Sequence, residues 1–189
     1  MKKYVIVASV ILTLAGCSAS TATAQLRAEV AEVKETKQVS VQQQLITESK
    51  IQKNKLIEAA KVQANTKQMN KVIKYLKTRV GRTSYVFSGA SPRGWDCSGL
   101  VRWTYERFGL ELPHSANKQG HIGTRVSKPK LGDIVVFAYN GSTNFYHAAI
   151  YIGNGKIINA HYGADSTIIQ PLTDYANGQI RFIRVVKTI

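Results

Sequence analysis

Residues 94–101 read Gly94-Trp95-Asp96-Cys97-Ser98-Gly99-Leu100-Val101. The pattern becomes helical at the cysteine: Cys97, Leu100, Val101, Thr104 and Phe108 share a face, and Gly109 supplies a stop. The spacing predicts a helix from Asp96 to Phe108 with a thiol in its first turn. Unsatisfied N–H groups and the positive dipole end at that place favour a thiolate. They predict a depressed Cys97 pKa and fast alkylation near neutral pH. A small buried hydrophobe is the ordinary alternative for a lone cysteine. Asp96 suits a helix N-cap.

Strands follow the helix. Asp133 to Ala138, with Ile134-Val135-Val136-Phe137 at its centre, reads as one, and His147 to Ile152 as a second. Gly153-Asn154-Gly155 is a hairpin turn signal. Lys156 to His161 is the return strand and Ile180 to Val186 a further one. Helices first and antiparallel strands second predict an α+β domain. A thiol nucleophile needs a proton acceptor, and that acceptor needs a group to orient it. His147 opens a strand that ends in a tight hairpin, a rigid place for an imidazole. Asn159 and His161 share one face of the return strand. If Ile152 pairs with Lys156, His147 stands opposite His161 and diagonal to Asn159. A two-residue shift reverses this, and spacing alone does not choose.

Composition changes sharply before this region. Gln25 to Val80 contains no Gly and no Pro, whereas 13 of 14 glycines, all four prolines and 14 of 16 aromatics lie beyond it, so the packed mixed domain lies beyond it too. The 25–80 stretch carries 12 Lys+Arg against 5 Glu and is rich in helix-compatible residues, so it predicts a solvated helix or a partly disordered tether. No sustained heptad argues for a coiled coil. Near its end Met69, Val72, Ile73, Leu76 and Val80 form one apolar face, predicted to pack on the domain that follows.

The first residues give the address. Met1-Lys2-Lys3 and the apolar run Tyr4 to Leu14 form a secretory leader, too short for a stable membrane span. Leu14-Ala15-Gly16-Cys17 resembles a bacterial lipobox, which implies lipidation of Cys17 and a membrane anchor. Cleavage after Ala22-Thr23-Ala24 is the rival. Ser18 in place of an aspartate resembles outer-membrane sorting in a host with two membranes. The expected organisation is a leader over 1–17, a basic helical or flexible tether over 18–68 and a catalytic domain over 69–189. Two cysteines in 189 residues exclude a disulfide scaffold and a four-cysteine zinc module. A net charge of +15 asks for an anionic partner. An exported chain does not meet genomic DNA or RNA, so wall polymers and lipid head groups remain and nucleic acid does not.

Several motifs fall in order. They are Tyr85-Val86-Phe87-Ser88-Gly89, the Asp96-Cys97-Ser98-Gly99 element, Leu112-Pro113, Gln119, Gly132-Asp133-Ile134-Val135-Val136-Phe137 and His147-Ala148-Ala149-Ile150-Tyr151-Ile152-Gly153-Asn154-Gly155. Over residues 80–170 the chain resembles the NlpC-type bacterial cell-wall cysteine peptidases, compact relatives of papain. The resemblance implies Cys97 as nucleophile, His147 as base and Asn159, twelve residues on, as the third polar residue. It implies substrate contacts at Tyr85, Asp96 and Ser98, and peptidoglycan stem peptides as substrate. Asp96 would pair with a stem-peptide ammonium or cap its helix, with equal weight. Ser88, where relatives carry a second glycine, and Ala148-Ala149, where they carry Val-Gly, predict a reshaped groove. Trp103 is expected in the core. His114 and His121 lie in a loop without a metal-binding pattern, and no glycine-rich phosphate loop is present, so neither metal nor organic cofactor is expected. A non-catalytic wall-binding scaffold and an amidase or transacylase using the same Cys and His are the alternative readings. No sequence feature names a regulatory protein partner.

Overall fold

The computed structural model describes residues 19–175 and 177–189. The leader and the lipidation of Cys17 fall outside the described residues. The first element is a single helix, α1, Ala19–Lys77. The absence of Gly and Pro from 25 to 80 permits this length, and Lys74 and Lys77 in the last turn complement the negative dipole end. Ser and Thr hydroxyls inside it, such as those of Thr36 and Thr47, donate to carbonyls one turn back. The chain divides into two compact units, one ending at Lys55 and one spanning Leu56–Ile189.

In the first unit the apolar residues Leu26, Val30, Val33, Leu45 and Ile51 are exposed. In the second, α1 buries Met69, Val72, Ile73 and Leu76, the face that the spacing predicts. Val80 also packs on the core, but from the turn past the helix end. Side-chain bonds fix this part of α1: Asn65 Nδ2 donates to the Lys187 carbonyl at 3.2 Å and Gln68 Nε2 to that of Arg107 at 3.3 Å.

A small hairpin follows, β1 Ala90–Ser91 with β2 Gly94–Trp95, and then helix α2, Cys97–Glu106. Next come the short α3, Ala116–Gln119, and strands β3 Thr124–Val126, β4 Ile134–Ala138, β5 His147–Gly153, β6 Lys156–His161, β7 Ser166–Pro171 and β8 Gln179–Arg184. The six longer-range strands form one antiparallel sheet in the order β3-β8-β4-β5-β6-β7. The α+β prediction holds, and the four expected strands lie where their apolar runs put them. Strands β3 and β7 are additional. β3 has only three residues, two of them exposed, which leaves little hydrophobic pattern to read.

Both faces of the sheet are covered, which is why β4 is buried at all five positions and reads as a continuous apolar run. On one face Leu100 and Val101 of α2, with Trp95 and Trp103, meet Val136, Ala148, Ile150 and Ile158. On the other, Val135, Phe137, Ala149 and Ile157 lie under Leu172 and Tyr175, which belong to a short 3-10 helix, Leu172–Tyr175. One buried ion pair staples β4 to β8: Arg184 donates from Nε to Asp133 Oδ1 at 3.0 Å and from Nη2 to Oδ2 at 2.7 Å. Asp133 also accepts the N–H of Lys130, so its buried charge is fully partnered. Gly132, at φ +89°, lies against Met69, and any side chain there would overlap the Met69 thioether.

Candidate active site

Cys97 is the first residue of α2 and Asp96 is its N-cap, with extended backbone and a side chain that accepts from the N–H of Gly99 at 2.7 Å. The cap does more than start the helix. Asp96 Oδ1 also accepts from Ser98 Oγ at 2.9 Å and meets His114 Nε2 at 3.0 Å, while Oδ2 accepts the Ser88 N–H at 3.0 Å. Ser88 holds a left-handed backbone, φ +57°, to present that N–H, which gives a physical reason for a glycine to suit the position. Gly99 is required by contact: a Cβ there would overlap the Gly89 carbonyl. The residues before the hairpin are thus tied to the helix start at Asp96 and packed closely on it at Gly99.

The Cys97 sulfur faces three backbone N–H groups: those of Ala148, Ser98 and Cys97 itself. The first belongs to β5, next to His147, so strand and helix converge at the sulfur. The N–H groups favour a thiolate, yet burial outweighs them and the Asp96 charge opposes it as well, so the Cys97 pKa is raised. The sequence expectation of a depressed thiol pKa is thereby corrected; the helix start is present, but the group is buried at 9 % exposure.

His147 Nε2 lies 3.0 Å from Asn159 Oδ1. An amide oxygen accepts only, so Nε2 carries the proton and Nδ1 is left to take one. The imidazole pKa falls to about 4, chiefly through burial, with His161 adding to the fall while the Asn159 bond and Asp96 oppose it. The β5–β6 register, Ile150 opposite Ile158 and Tyr151 opposite Ile157, shifts by one between Tyr151 and Gly153. Extended to the strand start it sets His147 opposite His161, yet the ring bonds the diagonal neighbour Asn159. His161 is otherwise engaged: its Nδ1 accepts from the Ala164 N–H at 3.1 Å.

The three expected substrate contacts divide. Tyr85 is half-buried, edge-on to Tyr162 at 5.4 Å, and its hydroxyl pKa is raised by burial and then by the nearby charges of Cys97 and Asp96. Its hydroxyl therefore belongs to the site. Asp96 and Ser98 are buried and bonded to each other, so the cap reading of Asp96 is realised in full. Ala148 and Ala149 are completely buried on opposite faces of the sheet, so they do not reshape the groove by lining it. Trp103 is in the core, as expected, and so is Trp95, whose Nε1 donates to Thr167 Oγ1. Among the described residues no cluster of His, Cys, Asp and Glu could hold a metal ion.

Four more residues support the site, and of these only Gln119 belongs to a motif. His114 braces Asp96. The buried Gln119 donates from Nε2 to the carbonyls of Ser98 and Pro113, tying the helix start to the following loop. Gln170 accepts from Asn159 Nδ2 at 3.1 Å. Tyr175 stacks on Phe137 at 4.0 Å and on His147 at 5.8 Å and 17°. The β-branched run Thr167-Ile168-Ile169 was the available signal for β7; its register, which sets Gln170 opposite Ile157, comes from the structure.

Comparison with known proteins agrees with this geometry. The NlpC/P60 family profile matches residues 81–184. A probable endopeptidase of Mycobacterium tuberculosis is 38% identical over 101 residues, covering 52% of this chain and 25% of that protein. Peptidoglycan endopeptidase RipA of the same organism is 37% identical over 82 residues, 42% of this chain and 17% of that one. Among solved structures, an NlpC/P60 family protein from Bacillus cereus superposes with a TM-score of 0.58 at 29% identity, covering 62% of this chain and 40% of that one. The chain thus matches a quarter or less of the length of these two curated relatives. With a buried cysteine at a helix start, a histidine opening the central hairpin and a profile match over more than half its length, this chain belongs to the NlpC/P60 family.

Proposed function

We propose that this chain is an exported cysteine endopeptidase that hydrolyses amide bonds in peptidoglycan stem peptides or cross-links, anchored to a membrane by lipid on Cys17. In a host with two membranes the anchor would sit on the periplasmic face of the outer membrane. The observation that carries the reading is the 3.0 Å bond from His147 to Asn159, beside a buried thiol near the N–H of Ala148. The names of the similar proteins support the same chemistry.

At rest both partners are neutral. The Cys97 sulfur attacks the amide carbonyl as its proton passes to Nδ1 of His147, and Asn159 holds the ring while it carries charge. The N–H of Cys97 would stabilise the oxyanion. The imidazolium then returns the proton to the leaving amine, and water, with His147 as base, hydrolyses the thioester. Tyr85, which lies near Cys97 and Asp96, would contact the substrate. These steps call for neither metal nor cofactor.

The test is mass spectrometry of muropeptides released from purified sacculi by residues 25–189, beside Cys97→Ala. New fragments made only by the unaltered protein are expected, and their masses name the bond. Equal release by the variant sinks the reading. No release from a folded protein favours a wall-binding scaffold. A product of acyl transfer or of another amide favours the amidase or transacylase reading.

A further inference from the structure

The polar chain behind His147 does not stop at Asn159. Asn159 is fully buried and donates from Nδ2 to Gln170 Oε1 at 3.1 Å. Gln170 in turn donates from Nε2 to Asp174 Oδ2 at 3.3 Å and lies near the Tyr175 hydroxyl. Strand β7 supplies Gln170, and the 3-10 helix that follows supplies Asp174 and Tyr175.

A primary amide has two faces of opposite sense, and a pair of amides between two rings or strands can point either way. The ionised carboxylate of Asp174 cannot: it only accepts. It therefore draws the NH2 of Gln170, which leaves the Gln170 oxygen for Asn159. That oxygen draws the NH2 of Asn159, which leaves the Asn159 oxygen for His147. The sense of every bond is set from the far end, and the last of them places the imidazole proton on Nε2. Tyr175, stacked on the His147 ring, closes the same corner.

We infer that Gln170 and Asp174 are positioning residues which, through Asn159, hold His147 in the single tautomer whose Nδ1 accepts the thiol proton. The chain of three bonds makes a remote carboxylate direct a site whose own third member is uncharged. The inference deepens the proposed function and, for its kinetic consequence, rests on it.

The experiment pairs kinetics on stem-peptide substrate with long-range 1H–15N correlation spectra of the histidine rings in the full chain at pH 7, the His147 signals being assigned by their loss in His147→Gln. The unaltered protein is expected to show His147 only as the Nε2–H form. Gln170→Leu is expected to populate both tautomers and to lower kcat about 10- to 100-fold, the size typical of losing an outer partner of a functional imidazole, with little change in KM. Gln170→Glu offers Asn159 an oxygen that only accepts and is expected to restore the Nε2–H form and most of kcat. Asp174→Asn removes the one-way acceptor and is expected to mix the tautomers partially. A Gln170→Leu protein with an unmixed ring and kcat within twofold would overturn the inference. So would equal losses in Gln170→Leu and Gln170→Glu, which would mean a packing role. If the unaltered protein cleaves nothing, the proposed function fails while the ring spectra still decide this inference.

Discussion

Cys97 and His147 are both held against ionisation by burial, the thiol upward and the imidazole down to about 4. A site of this kind keeps its proton on sulfur until attack begins and guards the thiol against chance oxidation. The imidazole also ties stability to pH. Its folded pKa lies below the usual 6.5 or so, so the unfolded chain binds the proton more readily. The stabilisation is complete above about pH 6.5 and is lost as pH falls towards 4. Thermal unfolding followed from pH 7 to pH 4 is expected to show a steeper fall for the unaltered protein than for His147→Gln; parallel curves would contradict the burial of a neutral ring. At this scale the sequence was informative about Cys97 and His147, because helix start and hairpin are local signals. It left Asn159 against His161 open, since a diagonal bond depends on how the two strands twist. It gave no hint of His114, whose role exists only because its loop returns to Asp96.

The elements show why some of the fold was legible and some was not. Asp133 and Arg184 lie 51 residues apart, and their pairing joins β4 to the strand placed beside it by topology alone. The Asp133 side chain is 1% exposed and that of Arg184 20%, so losing Asp133 leaves a half-buried guanidinium and the Lys130 N–H without their acceptor. Asp133→Ala is expected to cost about 3 kcal/mol in urea unfolding. A loss below about 1 kcal/mol would show the pair to be dispensable. The amphipathic face from Met69 to Leu76 was visible in its spacing, whereas the reach of α1 to Ala19 was not. In 25–68 helix-forming composition competes with the absence of a buried face, and composition alone leaves helix and tether equally good readings.

Charge belongs to the molecule as a whole. The net charge is +15, and the ion pairs among the described residues involve few of the 26 Lys+Arg. Binding of the Cys97→Ala chain to purified sacculi is therefore expected to weaken about tenfold between low salt and 0.15 M, where the screening length falls to about 8 Å. Binding indifferent to salt would assign retention to the groove and not to charge.

The strand order carries a kinetic consequence. Strand β8 is the last strand along the chain, yet it sits between β3 and β4. Until residues 179–184 are available, β3 has no neighbour to join and Asp133 has no guanidinium to meet. The β3 end of the sheet thus waits for the last strand to arrive, whereas β4 to β7 pair with their sequence neighbours. A polypeptide that must thread a narrow translocation channel, as proposed for this one, benefits from such a delay. In a chain exported as proposed, the pairing of β3, β8 and β4 would follow the arrival of the last strand.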